Sequence, residues 1–387
     1  MGKIIYMDHN ATTPLDPEVL DAMMPYLTDK FGNPSSSTHS YGWEARQAVE
    51  EARGQVAELI GARAEEIVFT SGATEADNLA IKGVAHAYRQ RGDHIITSQI
   101  EHKAVLETCK VLEKDGFKVT YLPVDRYGMV DPEELRGAIT DKTILVSIMF
   151  VNSEVGTIEP VEKIGEIARE KGVLFHSDAV QGVGKIETKV DKLKADLLSI
   201  SGHKMYGPKG IGALYLRKGV KIEPLLHGGG HERGLRAGTE NVPGIVGLGK
   251  ACQKAGKVMK TEAERLAKLR DRLYEGVRKR MKRVHLNGHP ERRLPGNLNL
   301  SFEFVEGESL ILSMKDFAVS SGSACTSSSL KSSYVLLAMG VPEAIAHCSL
   351  RICLGRSNTE QEVDHLVKEL SKNVARLREM SPLYKEV

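Results

Sequence analysis

The stretch "SISGHKMYGPKGIG" (199–212) sets Lys204 between a strand end and a Gly-Pro turn, with Ser201 and His203 just before it. A lysine partly withdrawn from water can have its pKa lowered and form an imine with an aldehyde. A solvated loop lysine is the alternative, and it leaves the neighbouring Ser, His and Gly-Pro-Lys-Gly without a purpose. In "HSDAVQ" (176–181), Asp178 stands at the end of a buried strand, on the side of an α/β sheet where ligands bind. A carboxylate there needs a cationic partner, either a protonated pyridine nitrogen or an arginine, because an unpaired buried charge is costly.

The loop "TSGATEADN" (70–78) joins a strand to a helix. Gly72 permits a tight turn, Thr74 offers a hydroxyl, and the helix start presents unbonded N–H groups, which together make a phosphate cradle. An ordinary helix cap built on Thr74 and Asp77 is the competing reading. "HGGGHERGLRAGTEN" (227–241) could suggest zinc on His227 and His231, or an oxyanion hole on its glycines. Three intervening glycines disfavour the helix that such a histidine pair uses, and no G-x-S-x-G elbow exists, so no metal is expected. Arg233, Arg236 and Thr239 instead suggest anion binding. Finally, "VSSGSACTSSSL" (319–330) places Cys325 among six serines between Ser320 and Ser329. Such a segment has little to bury, whereas a free cysteine usually lies among the most buried side chains.

The elements that must hold these residues are legible from about residue 65. Apolar, β-branched runs at 65–70, 94–98, 118–124, 143–151, 173–180, 196–201 and 211–216 read as strands. Helical patterns at 75–91, 102–116 and 161–172 separate several of them. Strands that are apolar throughout, joined by helix-length crossovers, predict a largely parallel seven-stranded sheet covered on both faces. Near residue 255 the texture changes. A long charged amphipathic helix is expected over 261–284, then strands within 296–305 and 349–355, and a closing helix over 359–380. The reading is an α/β chain with a large domain over 15–255 and a smaller α/β domain formed by 1–14 and 256–387.

The 387 residues include 41% hydrophobic and 27% charged positions with a net charge of +2, which excludes wholesale disorder and argues against a general nucleic-acid or membrane binder. The basic run 277–293 reads as a solvated helix face, so direct nucleic-acid binding is not expected. Cys109, Cys252, Cys325, Cys348 and Cys353 form an odd set without C-x-x-C spacing, which argues against a disulfide framework and for a reducing compartment. Four of them, all but Cys325, read as small buried or helix-face residues. The N-terminal apolar run is too short for a secretion signal, and Tyr6 spoils a myristoylation pattern. A cytoplasmic protein without a membrane span is expected.

Taken together, the motifs "MDHNATTPLDPEV", "FTSGATEADNLAIKG", "EHKAVLETC", "SDAVQ", "SGHKMYGPKG", "HGGGHERGLRAGTENV", "SSGSACTSSSL" and "LRICLGRSNTE" resemble those of the cysteine desulfurases, nearly end to end. These are pyridoxal 5'-phosphate enzymes of transferase fold type I, in the branch that feeds sulfur to iron–sulfur assembly. The resemblance implies that Lys204 holds the cofactor covalently, Asp178 pairs with its pyridine N–H, Gln181 reaches its phenolic oxygen, and His102 stacks on the ring and takes part in proton transfer. Ala73, Thr74, Ser201 and His203 would hold the phosphate, with Thr239 supplied by the neighbouring subunit of a homodimer. Asn33 and Arg351 would receive the substrate carboxylate. Cys325 would take sulfur from L-cysteine as a persulfide, leave L-alanine, and carry the sulfur to an iron–sulfur scaffold or another acceptor, including enzymes of tRNA thiolation. A selenocysteine lyase or an aminotransferase on the same fold, or a non-enzymatic partner-binding protein, are the rival expectations. Where relatives read Val-Asn-Asn-Glu this chain reads "VNSE", so Ser153 replaces an asparagine beside the phenolic oxygen and keeps a donor there. The chain stops at "SPLYKEV", where many relatives continue into a tail that docks the scaffold, which removes the expectation of docking at that end.

Overall fold

The structure is a computed structural model that describes residues 4–321, 332–382 and 384. Cys325 and most of its serine-rich segment lie outside the described residues. A short first strand, β1 (Ile5–Tyr6), precedes the apolar runs expected to pair: β2 (Ile67–Thr70), β3 (His94–Ser98), β4 (Lys118–Leu122), β5 (Thr143–Ser147), β6 (Leu174–Asp178), β7 (Leu197–Ser201) and β8 (Gly212–Leu216). The last seven form one sheet in the order β2-β8-β7-β6-β5-β3-β4. Pairing is parallel from β4 through β7 and antiparallel where β8 joins β7 and β2.

Side-chain alternation divides this sheet's burial between two faces. Ile67, Phe69, Val146, Phe175, Leu198 and Ile200 join one apolar cluster with the helices Ser40–Ile60 and Val161–Glu170. Val68, Leu145, Leu197 and Leu214 join another with the helices Ala73–Ala87 and Lys103–Lys114. With both faces covered, β5, β7 and β8 are buried along their whole length. That is why those runs read as continuous hydrophobic stretches.

A third apolar cluster gathers around β9 (Val284–Asn287), β10 (Asn297–Phe302), β11 (Phe317–Ala318) and β12 (Ser349–Cys353), with the helix Glu360–Met380. β12, β10 and β9 form an antiparallel sheet, and β1 pairs in parallel with β11. The N-terminal strand thus returns to the C-terminal part of the chain, and Met7 is fully buried there.

The helix expected over 261–284 runs from Val242 to Arg280 instead. Its first half is Gly- and Ala-rich because it lies against the helix Ser40–Ile60 at close range: a Cβ on Gly249 would stand 2.7 Å from Ala52 Cα. Leu269, Leu273 and Val277 on its second half join the third cluster, while Val242, Ile245 and Leu248 on its first half join the first, so one helix links the two.

The glycine-rich loop is tied down by a buried ion pair. Arg53 donates to both carboxylate oxygens of Glu232 at 2.8 and 2.9 Å and to Ile67 O at 2.9 Å. The Phe69 N–H also donates to Glu232, at 2.7 Å. Glu232 and Arg233 sit in left-handed backbone (φ 45° and 58°), a strained conformation that these contacts hold. Replacing Arg53 with Met strands a buried carboxylate, so unfolding free energy should fall by about 3–5 kcal/mol in a denaturant titration. The double replacement Arg53→Met/Glu232→Leu should lose less, and an equal loss in both would assign the effect to packing instead.

Candidate active site

A cavity of about 620 Å³ opens at the ends of β2, β6 and β7. The sequence places chemistry there because strand ends are the sites where a parallel sheet releases its chain into loops. Ala73, Thr74, His102, Ser153, Asp178, Gln181, Ser201, His203, Lys204 and Arg351 all line it, together with Asn10 and Thr12. Ten residues singled out from sequence are therefore gathered in one space.

The anion end is the start of the helix Ala73–Ala87. Gly72 is its cap, with φ 154° and no side-chain cap bond, so the first-turn N–H groups face the cavity uncapped by protein side chains. Neither Thr74 nor Asp77 caps, which overturns the capping reading. Glu75 turns back to accept from Ser71 N–H at 2.7 Å and is held by Arg236 at 2.8 Å. Ser201 ends β7, and His203 follows in a short 3-10 turn with Nδ1 3.1 Å from Thr12 Oγ1. Burial, and then nearby Lys204, Lys209 and Lys185, push His203 down to about 4, so it is a neutral hydrogen-bonding group at neutral pH.

Lys204 projects from that turn and donates to Asn10 O at 2.8 Å and Ala11 O at 2.7 Å. Opposite, Asp178 ends β6 and accepts from Val180 N–H at 3.0 Å. Ligand atoms of Asp178, Asp77 and His102 lie within 4.8 Å of one another. Asp77 is fully buried and 3.7 Å from His176, but His176 is bound to Ser147 and Ser199 and is pushed by burial down to about 3, so it supplies no charge. Burial raises Asp178, against the pull of His102 and Lys204; burial and then the charge of Asp178 raise Asp77. No ion-pair partner stands at Asp178 among the described residues. One compact cation with an N–H, such as a pyridinium, satisfies this corner. A divalent metal would find only these three ligands, and His102 Nδ1 already accepts from Ala104 N–H at 3.1 Å.

Arg351, on β12, closes the other end. Its guanidinium donates to Asp8 at 2.8 Å and to Ser153 O at 3.2 Å, and its buried Nε has no partner. Burial works to lower its pKa, but Cys353 and then the Asp8 carboxylate raise it further, so it stays charged. A cavity with an uncapped helix start, a lysine amine, an uncompensated aspartate and a charged arginine fits pyridoxal phosphate and an amino acid: phosphate, aldehyde, ring nitrogen and substrate carboxylate each meet a complementary group.

Asn33 lies outside the cavity lining of its own chain, and so does Thr239, which is expected at the site of a neighbouring subunit. Asn33 is exposed and closes its own turn by accepting from Ser35 N–H at 2.9 Å. Thr239 is also exposed. Of the arginines expected to bind an anion, Arg236 is held by Glu75 and Arg233 donates to Ile67 O. Cys109, Cys252, Cys348 and Cys353 are buried, as expected.

Residues the sequence reading passed over include Asn10, Lys185, Asp77, Glu101 and Glu154. Asp77 had a readable signal, since it shares a helix face with the buried Ala80, Ile81 and Val84. Glu101, next to His102, accepts from Ser98 and Met149 N–H while its second oxygen has no partner, and burial pushes it up to about 8. Above pH 4.5 the unfolded chain has released this proton while the folded protein keeps it to about 8, so Glu101 costs stability as pH rises across that window. The Tm difference between Glu101→Gln and the parent protein should therefore grow in favour of the variant from about pH 5 to about pH 9. A flat or reversed difference would contradict the assignment.

Comparison with known proteins agrees with the cavity. The aminotransferase class-V family model matches residues 5–366. A cysteine desulfurase IscS of Rickettsia bellii is 57% identical over 98% of this chain and 93% of its own length. One from Methanosarcina thermophila is 57% identical over 99% of this chain and 95% of its own. Among solved structures, a NifS-like protein superposes with TM-score 0.90 at 44% identity, covering 96% of this chain and all of that one. A structure described as SspA in complex with cysteine gives TM-score 0.82 at 41% identity, covering 90% and 98%. This chain belongs to the pyridoxal-phosphate-dependent cysteine desulfurases of the class-V aminotransferase family.

Proposed function

We propose that the protein converts L-cysteine to L-alanine and holds the released sulfur as a persulfide on Cys325. The observation that carries this reading is the single cavity holding Lys204, Asp178, His102 and Arg351. The relatives' names and the structure with cysteine support the choice of substrate.

In this reading the bound cofactor supplies an electron sink for a carbanion at the substrate Cα. Lys204 would hold the cofactor through its amine, and the same amine would move the Cα proton. Asp178 would stabilise the ring N–H, with His102 beside it as a stacking and proton-handling group. Gln181 and Ser153 face the phenolic oxygen; Ala73, Thr74, Ser201 and His203 receive the phosphate. Arg351 orients the substrate carboxylate as a bidentate donor. The Cys325 thiolate attacks the substrate sulfur, the substrate C–S bond breaks, and the carbon takes a proton to leave as alanine. One thiol and one cysteine thus become one persulfide and one alanine.

The partner and location readings extend this. The sulfur passes to an iron–sulfur scaffold or another acceptor protein in the cytoplasm, including the enzymes of tRNA thiolation. No helix among the described residues is long and apolar enough to cross a membrane. The chain works as a homodimer, with Thr239 reaching the phosphate of the neighbouring site. Exposed apolar side chains on and between the first two helices, Leu20, Met24, Leu27, Phe31, Tyr41 and Trp43, offer a surface for that contact. We read 15–255 as the large domain and 1–14 with 256–387 as the small one, with most of the small one's apolar residues in the cluster around β10 and β12.

Replacing Cys325 with alanine should leave the cofactor's visible absorbance intact and reduce sulfide and alanine formation from L-cysteine by at least about 100-fold. Unchanged turnover would remove the persulfide step and favour a lyase or aminotransferase. A protein that stays colourless with added pyridoxal phosphate would favour a non-enzymatic role. Light scattering should give about twice the chain mass of 42.4 kDa; a monomer with full activity would contradict the shared-site reading.

A further inference from the structure

Lys185 lies behind the cavity wall, with no assigned role in the reaction. Its ammonium donates to Gln181 Oε1 at 2.8 Å and, more distantly, to Asn10 Oδ1 at 3.4 Å. No carboxylate pairs with it among the described residues, so a charged group is held there by two side-chain amides. Those amides are connected to the site. Gln181 Nε2 donates to Asn10 O at 2.9 Å, the same carbonyl that accepts from Lys204. Asn10 Nδ2 donates to Ser153 O at 3.1 Å, which also accepts from Arg351.

An ammonium has donors only, so the amide atom that faces it must be the oxygen. An amide left without such a neighbour can turn either way. We propose that Lys185 is a positioning residue of the cofactor site, whose ammonium fixes the side-chain amides of Gln181 and Asn10 so that both turn their N–H groups to the cavity wall. The consequence is a fixed donor at Gln181 toward the ring's phenolic oxygen, in a site where Ser153 stands in place of a longer amide. When Lys204 is engaged with the cofactor, the contact from Lys185 still holds the orientation.

The groups facing Lys185 work against its charge, so the ammonium that orients the two amides is the form present below about pH 7. Burial, then Lys204, and also Arg351 push it down to about 7, with the Cys353 thiol acting the other way. In return it helps push His9 and His203 down, both to about 4. Its stem also lines an open groove of about 830 Å³, which leaves room for a longer side chain or a small ammonium ion.

This inference rests on the pyridoxal-phosphate reading, and the test separates the two. The visible chromophore of the holoenzyme is titrated with pH in the parent protein, Lys185→Met and Lys185→Arg, with circular dichroism as the folding check. Removing a nearby cation and a fixed donor to the phenolic oxygen both make the chromophore hold its proton more tightly. The Lys185→Met midpoint should therefore move up by about one pH unit, while Lys185→Arg stays close to the parent. An unmoved midpoint in Lys185→Met overturns the inference, and so does an equal shift in both variants. If Lys185→Met does not fold, Lys185→Ala decides: added propylammonium should restore the parent midpoint, and no response overturns the inference. A parent protein without any chromophore defeats the cofactor reading and this inference with it.

Discussion

An aspartate at the end of a buried strand, beside a second buried aspartate, is the constraint on which the site is built. The parallel register carries β6 straight through the interior, so Asp178 arrives where water is scarce, and the helix Ala73–Ala87 brings Asp77 to the same corner. Two carboxylates that close together in low dielectric do not both ionise without a cation. Among the described residues no ion pair reaches Asp178: His176 is neutral and bound to two serines, Lys204 donates to the carbonyls of Asn10 and Ala11, and burial leaves Asp178 raised despite the pull of His102 and Lys204. The fold therefore holds a space that a ring N–H can complete.

The remaining parts follow from how the strands end. β2 releases its chain at Gly72 into a helix without a side-chain cap, which leaves donors for an anion. β7 ends at Ser201 and turns at once, placing Lys204 opposite β6. The N-terminal segment, fixed by β1 pairing to β11, supplies Asn10 and Asp8, and β12 supplies Arg351. The cavity is thus walled by segments from both parts of the chain, and the long helix Val242–Arg280 packs residues into a cluster of each.

Much of this could be read in the sequence because the buried strands carry uninterrupted apolar runs and the functional residues sit at their ends. The sheet's seven strands and the placing of Lys204 and Asp178 at strand ends came from that pattern, while the roles of Gln181 and Ser201 came from the family resemblance. What escaped has physical reasons. The first half of the long helix is rich in glycine and alanine because another helix lies against it, and such a composition reads as weakly helical. Asp77 looked like a cap because polar residues cluster at helix starts, although its spacing from Ala80 and Ile81 placed it on the buried stripe. Asn10 and Lys185 act through tertiary contacts across more than 170 positions, which local pattern does not report. Asn33 and Thr239 stay outside the cavity of their own chain, while Cys325 lies beyond the described residues.

The most direct test of the account is to reduce the pyridoxal-phosphate-loaded protein with borohydride and map the modified peptide by mass spectrometry. The account predicts a stable pyridoxyl phosphate adduct on Lys204. An adduct on Lys185 or another lysine, or no adduct, would contradict it.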